Sequence, residues 1–150
     1  MKDYLDNVKN ELKRVDHLLY VSLKYTRTVD VIRSVINRLI NAFDFCVSAL
    51  LVKVQKRRKT LEIPIQPRKK CELVKELYAG DEEIVKFVNF YLDLRDIYQA
   101  KYTKREEYRR HVTMIAELEP GKIVEVDIDK LHEYEKKAKE ILEYLEGMMK

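Results

Sequence analysis

Apolar residues recur at three- and four-residue steps along most of this chain, the pattern of helices that each bury one face. Leu5, Val8, Leu12, Val15, Leu19 and Leu23 form one such stripe and predict a helix over 2–25. After a short Thr26-Arg27-Thr28 break, a broader apolar face runs from Ile32 through Leu39 and Phe43 to Val54 and predicts a second helix over 29–57. Thr28 is placed to cap it, and so short a break predicts an antiparallel hairpin of the two helices. Two prolines, Pro64 and Pro67, stop this run, and a short helix is predicted over 69–78. Asp81 caps a fourth helix, with Glu82 and Glu83 suited to the positive end of its dipole, and the pattern extends to about residue 105–110. The periodicity then breaks at "MIAELEPGKIVEV". Pro120-Gly121 suits the middle of a type II turn and predicts a small two-stranded hairpin within 113–126. A last helix starts near Asp127 or Asp129, with Leu131, Tyr134, Ala138, Ile141, Leu145 and Met148 as its stripe. The expectation is an all-α fold, one domain over 1–150, with about five helices in an up-down bundle.

The fourth helix carries the most informative anomaly. Ile84, Val88, Tyr91, Arg95, Tyr98 and Tyr102 form one seam, and Phe87, Phe90, Leu94 and Ile97 form a second beside it. Two adjacent apolar seams predict one facing the core and one facing a partner helix, hence a homodimer through Val88, Tyr91, Arg95 and Tyr98. Arg95 sits within the first seam. A guanidinium there is costly unless its donors are satisfied. The plainest structural account lets its stem pack on tyrosines while its head reaches water or a carboxylate such as Asp93 or Asp96.

The order of elements, with "LRDIYQAKY" (94–102) ending the fourth helix, resembles the HEPN domain family. Those are small all-α domains marked by an arginine, usually a polar residue after it, a histidine four to six positions on, and often a trailing tyrosine. Arg95, Asp96 and Tyr102 match the arginine, the polar residue and the tyrosine. The resemblance covers most of the chain in architecture and implies RNA or nucleotide binding, a homodimer, no cofactor, no metal, and an antitoxin-like protein as a partner. It also implies that Arg95, Lys101 and Tyr102 form the site.

Lys101 departs from the pattern, because it occupies the histidine position. In active family members the arginine and histidine of two subunits converge and cleave RNA without metal. That reaction needs a group titrating near neutrality, as imidazole does at about 6.5 and a free ammonium at about 10.4 does not. The departure therefore implies weak or absent catalysis. A second arginine–histidine pair, Arg105 and His111 in "REEYRRH", satisfies the same loose spacing and provides an alternative site. The competing readings are a metal-independent ribonuclease and a helical protein–protein interaction module without nucleic acid.

Composition narrows the remaining choices. Three glycines and three prolines in 150 residues leave few turns for an all-β fold. A net charge of +4 is too small to argue for a polyanion, so the distribution of charge must carry that case. It concentrates in Lys53–Lys70, with Lys56, Arg57, Arg58, Lys59, Arg68, Lys69 and Lys70 as candidate nucleic-acid contacts against a single acid, Glu62. The charged N-terminus has no signal-peptide core, and no apolar run approaches a membrane span. With Cys46 and Cys71 far apart and outside metal-type spacing, the expectation is a cytoplasmic protein with reduced thiols and no membrane. His17, His111 and His132 are scattered, so no metal site is expected; Gly80, Gly121 and Gly147 cannot make a phosphate loop.

Overall fold

Residues 2–149 are described by the structure, a computed structural model, and the chain is mostly helical with one small antiparallel sheet. Helix α1 is continuous but built in three pieces: Lys2–His17, a π-helical turn over Leu18–Ser22, and Leu23–Tyr25. The wider turn keeps Leu19 and Leu23 buried at 4% and 1% exposure while leaving Tyr20 on the outside. Helix α2, Val29–Arg57, starts where the hydroxyl of Thr28 accepts the Val31 N–H at 3.3 Å. Doubling back over three residues, α2 packs along α1, and Glu11 of α1 meets Arg38 of α2.

Helix α2 is the centre of the core. Its Ile32, Ile36, Leu39, Phe43 and Leu50 are covered by α1, by α3 (Pro67–Leu77), by α4 (Glu82–Gln99) and by α5 (Ile128–Met149). Each such side chain contributes roughly 1.5–3 kcal/mol by leaving water. Helix α2 is also long and apolar enough to cross a membrane, with a mean hydropathy of 1.6 over its most apolar stretch. Most of that stretch is buried inside the protein, as a core helix would be. Helix α3 starts at Pro67, two residues earlier than expected, because proline fits the first helical turn where its missing N–H costs nothing. Asp81 caps α4 by accepting the N–H groups of Glu83 and Ile84, and Asp127 caps α5 by accepting that of Lys130 at 2.8 Å.

Three expectations are corrected. First, α4 ends at Gln99, and Lys101–Arg105 is strand β1. The chain turns extended at Ala100, and β1 pairs antiparallel with β2 (Thr113–Glu119), setting Lys101 opposite Glu117 and Tyr102 opposite Ala116. Second, the expected two-stranded hairpin is the β2–β3 half of a three-stranded sheet in the order β1-β2-β3, with β3 at Lys122–Val126. Gly121, at φ +85°, supplies the left-handed turn conformation between β2 and β3. Third, both seams of α4 contribute to the chain's own core, which leaves Arg95 and Tyr98 half-buried at its edge. Val88 and Tyr91 are 0% and 1% exposed, as deeply buried as Phe87 and Leu94 of the second seam. A seam already covered by its own core leaves no Val88–Tyr91 face for a second copy.

Candidate functional site

Arg95 lies at the edge of the core, one helical turn after the buried Tyr91. Its Nη1 reaches the Tyr91 hydroxyl at 3.5 Å, and that hydroxyl donates to Asp44 of α2. Burial pushes the Asp44 carboxyl up, while the Tyr91 hydrogen bond and the Arg95 charge pull it back down. Burial likewise pushes the Tyr91 phenol well above its ordinary value, with the Asp44 hydrogen bond adding to it. A phenol does tether Arg95, as its place in the seam predicts. The nearby carboxylate, however, is Asp44 and neither Asp93 nor Asp96. Asp96 is instead paired with Arg68.

Arg95 opens onto a hollow of about 260 Å³ lined by Asn37, Asn41, Asp44, Tyr98 and Gln99. A second hollow of about 340 Å³, lined by Asp30, Arg33, Ser34 and Arg38, adjoins it through Asn37 and Tyr98. Together they form a polar groove along α2 and the end of α4. The arginines paired with carboxylates are Arg14, Arg38, Arg68 and Arg105, so Arg95 faces this groove without a carboxylate partner among the described residues. Asn37, Asn41 and Asp44, spaced four and three apart, are the sequence signal for this groove, which reasoning from α4 alone missed.

Lys101 and Tyr102 take different positions from those implied. Both are on the exposed edge strand β1, and Lys101 lines neither hollow. Tyr102 reaches the groove indirectly. The Arg33 guanidinium sits 4.2 Å from the Tyr98 ring centre and 4.4 Å from that of Tyr102, and donates to the Tyr98 carbonyl at 3.0 Å. This stack pins β1 against α2.

The basic residues Lys56, Arg57, Arg58 and Lys59 are exposed at the end of α2 and the turn after it, and Arg68 and Lys69 are exposed on the first turn of α3. The Arg68–Asp96 pair ties α3 to α4 one residue from Arg95, and Lys70 lies near enough for its charge to lower Asp44. Arg68 and Lys70 therefore border the Arg95 end of the groove, whereas Lys56, Arg57, Arg58 and Lys59 lie at the far end of α2. Arg105 and His111 do not converge in that way. Arg105 is paired with Glu125 of β3 at 2.7 Å, whereas His111 lines a separate hollow with Arg27 and Arg110.

One titratable cluster left no sequence signal. Glu135 of α5 is 4% exposed and takes the Tyr20 hydroxyl's hydrogen bond at 3.3 Å. Burial, then the hydrogen bond to Asp16 and the Asp16 charge, push Glu135 up to about 7. The same hydrogen bond holds Asp16 below the usual carboxylate range, against its own burial. Lys139 lies 3.2 Å from Asp16 and 3.7 Å from the other Glu135 oxygen. Lys139 thus bridges Asp16 of α1 and Glu135 of α5 beside the π-helical turn.

Cys46 and Cys71 are buried free thiols, and burial raises both, Cys71 to about 11. Among the described residues, no group of His, Cys, Asp and Glu gathers as a metal site would require. No family model, curated protein or solved structure matches the chain.

Proposed function

We propose that this chain is a HEPN-like nucleotide- or RNA-binding protein, catalytically weak or inactive, that holds a phosphate on Arg95. The observation that carries this reading is a guanidinium tethered by Tyr91 and left without a carboxylate partner, opening on a polar groove that Arg68 and Lys70 border. A guanidinium can grip a phosphate through two parallel N–H bonds, and the tether pre-orients it to do so. The amides of Asn37, Asn41 and Gln99 and the ring of Tyr98 supply further contacts for a nucleotide. Weak catalysis follows from what lines the groove: neither Lys101 nor His111 does, so no imidazole is placed there to move a proton.

An up-down arrangement of the helices and a homodimer belong to the same proposal. The groove around Arg95, rather than the buried Val88–Tyr91 seam, is then the surface that meets the second copy. The test is RNA binding at low salt by wild type and Arg95→Ala. A loss of about tenfold or more with unchanged helical content is expected for one charge-assisted phosphate contact. Equal affinity for the two proteins would overturn the reading.

A further inference from the structure

The loop joining β1 to β2 is built with more care than a connector needs. Glu106 and Tyr108, neither of them glycine, sit at φ 52° and 66°. Left-handed conformations in such residues cost about 1 kcal/mol or more each and persist where surrounding contacts enforce them. Here the enforcing contacts are explicit. The Tyr108 N–H donates to the Arg27 carbonyl at 2.6 Å, and Arg109 N–H donates to Glu106 O at 3.1 Å. Glu107 accepts the Val29 N–H at 2.8 Å, and the Thr113 hydroxyl donates to His111 O at 2.8 Å.

This framework sets Arg110 and His111 against Arg27 and the first turn of α5, around a hollow of about 260 Å³ that Asp127 and Asp129 also line. The Nε of Arg27 is buried and has no hydrogen-bond acceptor among the described residues. Neither Arg27 nor Arg110 is among the arginines paired with carboxylates. Asp127 spends one oxygen on the Lys130 N–H, whereas Asp129 is exposed.

We propose that the hollow of Arg27, Arg110, His111 and Asp129 binds the ribose-phosphate part of a ribonucleotide, at a site separate from the Arg95 groove. The lining decides the ligand class. Two arginines without a carboxylate partner favour a phosphate. The carboxylates of Asp127 and Asp129 disfavour a purely anionic ligand, while the exposed Asp129 can accept hydrogen bonds from sugar hydroxyls. The volume points the same way. It falls below the roughly 300–1,000 Å³ of pockets that enclose a whole drug-sized ligand, so the base stays outside. Tyr108, 77% exposed and bonded through its N–H to the Arg27 carbonyl, offers an open ring beside the site on which a base can stack.

Calorimetric titration with adenosine 5′-monophosphate, its 2′-deoxy counterpart and adenosine tests the proposal on the full chain. The phosphorylated ribonucleotide should bind more tightly than either analogue. Arg110→Ala should weaken it by about tenfold or more, and Asp129→Asn should bring it to the level of the deoxy form. Both side chains are exposed, so the variants are expected to fold, and circular dichroism checks this. Arg95→Ala removes any nucleotide held in the Arg95 groove, and in that background the Arg110-dependent binding of the monophosphate should persist. The proposal is overturned by absence of binding, by equal affinity for adenosine and its monophosphate, or by an Arg110→Ala protein that binds normally. Loss of binding in Arg95→Ala would move the ligand to the groove and overturn it as well.

Discussion

Replacing Glu135 with glutamine should make the protein more stable at alkaline pH and nearly neutral in effect in mild acid. Glu135 is buried against Asp16, and its carboxyl is raised from an ordinary 4.5 to about 7. A group raised in the folded state binds its proton more tightly there. The stability this lends is fully present below about 4.5 and is lost as pH rises through about 7. Asp16 is lowered, so its contribution is present above its ordinary 3.8 and is lost as pH falls below it, outside that window. At 1.36 kcal/mol per tenfold in proton affinity, the Glu135 change corresponds to about 3 kcal/mol. Screening by water at Asp16 and Lys139, whose side chains are 45% and 51% exposed, trims this to about 2–3 kcal/mol. Glutamine is uncharged throughout and can donate an N–H to Asp16 as the protonated acid does. Glu135→Gln should therefore exceed wild type by about 2–3 kcal/mol at pH 8, or roughly 5–10 °C in melting temperature for a chain of this size. The two proteins should converge near pH 4.5. Urea titrations at half-unit pH steps measure both curves. Parallel curves across pH 4.5–8 would show that Glu135 and Asp16 do not share a proton.

Beyond that, Phe43→Ala should cost about 3–5 kcal/mol in chemical denaturation, since Phe43 is 1% exposed and meets the rings of Phe87, Phe90 and Tyr91 edge-on. A cost below about 1 kcal/mol would mean that this centre of the core is not packed as described. Replacing Lys56, Arg57, Arg58 and Lys59 together with alanine should flatten the salt dependence of RNA binding, because each lost phosphate contact removes about 0.7–0.9 from the logarithmic slope. An unchanged slope would assign these exposed residues to solvent alone. Lys101→His should leave RNA cleavage at the wild-type level, since the side chain at this position stands on β1 and lines neither part of the groove. A rise in metal-independent cleavage would place Lys101 in the site after all.

Much of the fold was legible because helices announce themselves locally. Thr28, Asp81 and Asp127 cap the helices they precede, and the stripes of α1, α2 and α5 bury most of the positions their spacing selects. Burying one face at a repeat of 3.6 residues leaves a trace in any short window. Arg95 stood out for the same reason, as a charge inside an apolar seam. What the chain alone could not decide depends on residues distant in sequence. Strand β1 is exposed at every position, so "KYTKR" has no alternation to read, and only pairing with β2 makes it a strand. Both seams of α4 look the same in sequence whether a second copy or the chain's own elements cover them; only the tertiary structure shows α2, α3 and β2 burying Val88, Tyr91, Phe87 and Leu94. Asp44 as the carboxylate beside Arg95, Asp16 as the partner of Glu135, and Arg27 beside Arg110 are each contacts between separate elements. Charge and hydrogen-bonding capacity are written in the sequence. Which groups meet, and how far from water, is set by the tertiary structure, because burial and electrostatic interaction depend on distance in space rather than along the chain.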